Sequence, residues 1–179
     1  MTMILSHSIK LVRLTLPQLE TGLRSIRDLA AELNTPLVEN LFVGDALRAV
    51  TMKIDKMRKV PQQLHPWFTY WLIVILCENT GAGLVGFKGD PDANGEAEIG
   101  YGIDPFYQNR GYMTEAVREM INWAFSHPQC LAITAKDVRL DNYPSQKVLV
   151  KTGFAETGSD EHGVSFRLAK NQSSFAEKY

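Results

Sequence analysis

The chain has 179 residues, 45% of them apolar, which is about one domain on the usual size scale and enough for an ordinary buried core. Nineteen basic residues against twenty acidic ones leave a formal charge of -1, so no global field selects nucleic acid or an anionic membrane as the partner. The four histidines are scattered, and Cys77 and Cys130 lie in apolar stretches without CxxC spacing; the pattern predicts no metal site, no disulfide framework and two small buried hydrophobes.

Met1 to Lys10 lack a basic start followed by an apolar run, and the longest apolar stretch, Trp67 to Cys77, is too short to span a bilayer, so the expected class is soluble and cytoplasmic. Rough alternation from Ile9 to Leu16 predicts an opening strand that stops at Pro17. Leucine spacing between Gln18 and Leu33, an interruption at Pro36, and the helical recurrence of Leu47, Val50, Ile54 and Met57 predict two or three helices. Lys53, Lys56, Arg58 and Lys59 crowd the end of the last one, where cations suit the helix dipole, and are expected to form a solvated face rather than a dock for an acidic acceptor.

From Phe68 to Cys77 both alternating sets are apolar, as in a strand covered on both faces. Turn residues at Glu78 to Gly83 and Gly89 to Gly95 separate it from strands at Leu84 to Lys88 and Glu96 to Ile103, which predicts a three-stranded antiparallel meander. Met113, Ala116, Val117, Met120, Ile121 and Ala124 mark an amphipathic helix. A strand at about Leu131 to Val138 follows, then a short helix starting near Asn142 or Pro144 and stopped by Gly153, then strands around Phe154 to Thr157 and Val164 to Leu168. The tail, 170–179, is expected to be dispensable.

The chemistry is concentrated between Glu98 and Phe154. The loop Gln108-Asn109-Arg110-Gly111-Tyr112-Met113 joins a strand to a helix, so it can aim unpaired backbone N–H groups at an anion with the helix dipole behind them. Gly111 lets the backbone approach a phosphate closely and Arg110 can add charge-assisted hydrogen bonds, an arrangement suited to a diphosphate. Gly100-x-Gly102 lacks the third glycine of a dinucleotide loop, and no GxxxxGK[ST] occurs.

Three fragments resemble the GNAT acetyltransferases, and within them the branch of the ribosomal-protein N-terminal acetyltransferases. Ala97-Glu98-Ile99-Gly100-Tyr101, followed by Ile103-Asp104-Pro105-Phe106-Tyr107, is similar to that branch's fourth strand and its exit. Gln108 to Ala116 is similar to the superfamily's Q/R-x-x-G-x-G/A loop continued by G-Y-x-T-E-A, with Met113 in place of a small residue. Asn142-x-x-Ser145-x-x-Val148-Leu149-x-Lys151-x-Gly153-Phe154 is similar to the branch's N-x-x-S-x-x-x-x-x-K-x-G-F helix and following strand.

The resemblance implies an α/β (α+β) fold: a mixed, mostly antiparallel central sheet of six to seven strands flanked by about four helices. It implies one domain over 1–179, with a cofactor-binding segment at about 96–157 and acceptor-side helices at about 17–60. The cofactor would be acetyl-CoA, with CoA as product and no metal. Gly102, Ile103 and Asp104 would pair with pantetheine. Gln108, Asn109, Arg110, Gly111, Tyr112, Met113 and Thr114 would form the diphosphate loop, and Asn142 would bond the pantetheine arm. Glu98 matches the general-base position, with Glu96 on the same strand face as the alternative.

Many relatives carry a tyrosine acid where this chain has Leu149; Ser145 matches the branch's serine and could bond the departing sulfur. The expected reaction is direct attack by a neutral amine with sequential kinetics. At pH 7 a lysine amine costs about 4.6 kcal/mol to deprotonate and a protein α-amino group roughly 1 kcal/mol, so an N-terminal acceptor needs only a modest base. The acceptor is a primary amine, on a peptide N-terminus or on a small molecule such as a polyamine, amino sugar or amino acid. A non-catalytic acyl-CoA-binding module stays open beside these. The chain is expected to be a monomer or homodimer, without nucleic-acid or membrane partners.

Overall fold

The computed structural model describes residues 3–172, and among them eight strands lie in one sheet in the order β1-β2-β3-β4-β5-β6-β8-β7. The strands are β1 (Met3–Leu5), β2 (Ile9–Arg13), β3 (Trp71–Ile75), β4 (Thr80–Phe87), β5 (Glu96–Ile103), β6 (Ala132–Val138), β7 (Ala155–Ser159) and β8 (Val164–Ala169). Every neighbouring pair is antiparallel except β5 and β6. The mixed, mostly antiparallel sheet is thus the one expected, with one strand more. That strand, β1, is three residues long and carries too few side chains to show a period.

The helices are α1 (Leu16–Arg24), α2 (Ile26–Leu33), α3 (Asp45–Met57), α4 (His65–Phe68), α5 (Tyr112–Phe125) and α6 (Tyr143–Lys151). The excess over the expected four comes from two places. Ser25 holds an extended conformation that ends α1, while its side chain accepts from Asp28 N and starts α2. The single turn α4 lies just before the stretch expected as the covered strand and takes only its first residue, Phe68. Thr15 and Gln18 form a reciprocal capping box that turns the chain from β2 into α1.

The sheet is covered on both faces, which is why all five residues of β3 are buried. On one face α5 contributes Ala116, Val117, Met120 and Ala124, and α6 contributes Leu149, to a core that includes Ile73, Val85, Ala97, Ile99 and Ile133. On the other, Leu19, Leu29, Val50, Ile54 and Met57 from α1, α2 and α3 pack over Leu72, Val74 and Leu84. The predicted apolar stripes are therefore buried, except that Leu47 at the start of the α3 stripe is exposed.

Two expectations are corrected. Lys53 is not on a solvated face but 5% exposed, because it lies beside Val50, Ile54 and Met57 on the stripe that α3 turns to the sheet. Its ammonium reaches the Phe68 and Phe87 carbonyls and lies 4.4 Å from the centre of the Tyr70 ring. Lys56 and Arg58 do face outward, to the Lys88 carbonyl and to Glu20. Of the two cysteines, Cys130 is buried as expected but Cys77, in the turn after β3, is exposed. Residues 170–172 form a short 3-10 turn, and the rest of the tail expectation lies outside the described residues.

Candidate active site

The site begins where two parallel strands part. β5 pairs with β6 only through Glu96, Ala97 and Glu98, which face Ala132, Ile133 and Thr134. Beyond that point β6 is irregular between Ala135 and Val138, and Asp137 takes a left-handed conformation, so the strand bends away. From Ile99 to Ile103 β5 is still paired with β4 but has an open edge on the other side. Lys88 N donates to the Glu98 carbonyl and Asp104 N to that of Ala82, so the even positions are spent on β4. By antiparallel alternation Tyr101 and Ile103 present their backbone groups to the gap, where the Ile103 carbonyl accepts from Gln108 Nε2 at 3.3 Å.

The end of β5 leads through a 3-10 turn, Pro105–Tyr107, capped by the Asp104 carboxylate on Phe106 N, into α5. Gly111 is the N-cap of α5 at φ 88, a backbone conformation that costs a side-chain-bearing residue free energy, and no side chain caps the helix. The first-turn amides of Tyr112, Met113 and Thr114 are thus uncapped donors at the positive end of a 14-residue helix.

These features line one cleft of about 410 Å³ between β5, α5 and α6. Gly102, Ile103, Gln108 and Asn109 form one wall, and Gly111, Tyr112, Met113 and Thr114 form the floor. Asn142, Ser145, Lys147, Val148 and Lys151 close it from α6. Asn142 is the α6 N-cap, its side chain accepting from Ser145 N at 3.2 Å.

A second cleft of about 510 Å³ opens on the opposite face of the sheet, between α3 with its leading loop, β4, and the end of β5. Its lining is mainly aliphatic, including Val38, Leu41, Val43, Ala46, Ala49 and Leu84, with Asn40, Asp45 and Asp104 as polar points. Tyr101, Gly102 and Ile103 belong to both clefts. The open edge of β5 is therefore the one place where a group held in the first cleft can meet a group entering from the second.

Most of the residues singled out by the sequence are brought together here, and four are not. Asp104 lines the second cleft instead of the first. Arg110 lines neither; its guanidinium sits 4.6 Å from the Phe106 ring centre and 3.9 Å from Glu78. Glu98 is ion-paired with Lys88 and Glu96 with Arg167, and neither carboxylate lines a cleft.

Conversely, Lys147 and Lys151 bring cations into the first cleft, although the sequence reading gave them no role. The helical spacing of four residues from one to the other was the available signal. Glu78 was missed as well. It accepts from Tyr107 Oη at 2.7 Å and pairs with Arg110, tying the loop before α5 to the β3–β4 turn.

Tyr101 is the other unforeseen member. Ser145 Oγ donates to its hydroxyl at 2.9 Å, and that hydroxyl donates to the Ser145 carbonyl at 3.1 Å. Burial pushes the phenol up to about 12, with the Ser145 hydrogen bond acting the other way. Among the described residues no cluster of three or more His, Cys, Asp or Glu is placed to hold a metal, and no helix is long and apolar enough to cross a membrane.

Comparison with known proteins agrees with this geometry. Residues 14–155 match the model of the acetyltransferase (GNAT) domain. The uncharacterized N-acetyltransferase YjdG of Bacillus subtilis (strain 168) is 42% identical over 87 residues, 49% of this chain and 51% of that protein. The chain thus spans about half the length of that curated relative.

Among solved structures, the ribosomal-protein-S5-alanine acetyltransferase of Vibrio fischeri shares the fold with a TM-score of 0.65 at 18% identity, covering 96% of this chain and 98% of that one. RimL, a ribosomal L7/L12 alpha-N-protein acetyltransferase in complex with coenzyme A, also reaches 0.65 at 18% identity, covering 93% and 97%. The microcin C7 self-immunity acetyltransferase MccE, in complex with acetyl-CoA and AMP, reaches 0.61 at 16%, covering 92% and 93%.

Proposed function

The chain belongs to the acetyltransferase (GNAT) family, and from that premise we propose that it is a cytoplasmic, single-domain N-acetyltransferase that transfers the acetyl group of acetyl-CoA directly to the α-amino group of a peptide or protein N-terminus. The observation that carries this reading is the meeting of two clefts at the open edge of β5. The first cleft has uncapped helix amides and two lysines for a diphosphate, and an unpaired strand edge for the amide-bearing pantetheine arm. RimL and MccE, which share the fold, were solved with coenzyme A and acetyl-CoA respectively.

In this scheme the thioester lies at Tyr101 to Ile103 and the amine approaches through the second cleft, so the reacting atoms are held in one geometry. Attack by the neutral amine places negative charge on the carbonyl oxygen, which a backbone N–H of the β5 edge stabilises. The C–S bond then breaks and CoA leaves. Glu98 receives the amine's proton through water, since it stands off the clefts beside Lys88. An α-amino acceptor suits so indirect a base, because its deprotonation near neutral pH costs only about 1 kcal/mol.

The lining of the second cleft favours the peptide acceptor. Its carboxylates are Asp45, paired with Arg48, and Asp104, engaged with Phe106 N, while the remaining walls are largely aliphatic. That suits a chain end bearing one amine beside a small apolar side chain better than a polyamine or an amino sugar. The fold neighbours named for ribosomal-protein acetylation point the same way.

The test is a competition between short peptides with free and blocked N-termini, a polyamine and an amino sugar, read as relative kcat/KM. The expected result is a preference of at least tenfold for the free peptide N-terminus. In the same panel Glu98→Gln lowers kcat/KM by about ten- to a hundredfold. Preference for the small amines would overturn the acceptor assignment, and unchanged turnover of Glu98→Gln would remove Glu98 from the mechanism.

A further inference from the structure

At Leu149, where the family resemblance would place a tyrosine acid for the departing thiolate, α6 offers no polar atom to the cleft, and the side chain is fully buried in the core. A second phenol stands opposite. Tyr101 comes from β5, lines both clefts at the point where they meet, and is held by the first turn of α6 through Ser145.

The hydrogen-bond directions decide how the two hydroxyls divide the work. Ser145 Oγ spends its proton on Tyr101 Oη, so the serine is the acceptor-polarising partner and the phenol holds the proton that can be redirected. That proton now goes to the Ser145 carbonyl. The carbonyl lies in the first turn of α6 and already has a helical partner in the N–H of Leu149, four residues on, so releasing the phenol leaves no backbone group orphaned.

We propose that Tyr101 is the hydrogen-bond donor to the departing CoA sulfur and that Ser145 is its positioning residue. The assignment rests on the reading that acetyl-CoA fills the first cleft. As the C–S bond of the tetrahedral intermediate breaks, its electron pair passes to sulfur, and the Tyr101 O–H turns from the Ser145 carbonyl to the thiolate. The proton shed by the amine leaves through water, and the thiolate takes a proton from solvent as CoA departs, so the phenol ends the cycle as it began. Ser145 Oγ–H, donating to the phenolic oxygen, strengthens the O–H as a donor. The high pKa of the buried phenol keeps it protonated through the neutral range, so the donor is always charged with its proton.

Three proteins test this: Tyr101→Phe, Ser145→Ala, and a protein carrying a fluorinated tyrosine, a stronger acid, at position 101. Acetyl-CoA affinity is measured by calorimetry beside kcat over pH. Tyr101→Phe is expected to lose at least about a hundredfold in kcat while its acetyl-CoA dissociation constant stays within about threefold. The fluorinated protein keeps its activity near neutral pH but acquires an alkaline loss of kcat at lower pH than the wild type, and Ser145→Ala loses about tenfold in kcat. Retention of kcat within threefold in Tyr101→Phe, with binding intact, would overturn the proposal, as would a fluorinated protein whose alkaline limb does not move. A wild-type chain that does not bind acetyl-CoA at all would instead remove the reading of the cleft, and this inference with it.

Discussion

Lys53 shows how much a single position can carry that composition does not reveal. Desolvation by burial, reinforced by Lys56 and Lys88, lowers its amine from 10.5 to about 7, while two carbonyls and the Tyr70 ring hold it. The unfolded chain, with the ordinary amine, binds more protons between about pH 7 and 10.5, so stability contributed by this group rises with pH across that window. Lys53→Met, followed by urea denaturation at several pH values, is expected to flatten that rise. An unchanged slope would mean that the amine titrates normally in the folded protein. The charge-rich run around it read as solvent-facing because helix-dipole arguments see charge and not the neighbouring apolar stripe, which assigns position 53 inward.

At the scale of elements, the two helices flanking the first cleft divide the electrostatics. α5 supplies amides and dipole, and α6 supplies the ammonium groups of Lys147 and Lys151, whereas Arg110 is committed to Glu78 and to the ring of Phe106. Replacing Lys147 and Lys151 together by alanine is expected to weaken acetyl-CoA binding at least tenfold and to reduce its salt dependence, while Arg110→Ala weakens it less. The opposite ranking would show that the arginine turns into the cleft on binding.

The elements themselves were largely legible. β5 and α5 carry unbroken periodicities of two and about 3.6, and Asn142 and Gly153 bracket α6 with boundary chemistry, so their positions follow from local sequence. That residues 108–114 would come together was legible for the same reason: they form one continuous segment, and all but Arg110 line one cleft. What escaped reading depends on partners distant in sequence. Tyr101 meets Ser145 across 44 residues, Tyr107 meets Glu78 across 29, and Lys53 meets Phe87 across 34; no pattern within a helix or strand encodes these contacts.

Taken whole, the molecule places a charged, amide-rich cleft and an aliphatic one on opposite faces of a twisted sheet, joined where β5 and β6 part. Under the proposed function, donor and acceptor would be bound together, on separate sides of one strand edge, before the acetyl group moves. In the proposed function acetyl-CoA occupies the first cleft with its diphosphate on the α5 terminus. Calorimetric titration with acetyl-CoA, with NAD as control ligand and Gly111→Asp beside the wild type, is the test of that placement. The expected result is saturable binding of acetyl-CoA alone, weakened at least tenfold in a Gly111→Asp protein whose circular dichroism matches the wild type. No binding, or equal binding by both proteins, would contradict it.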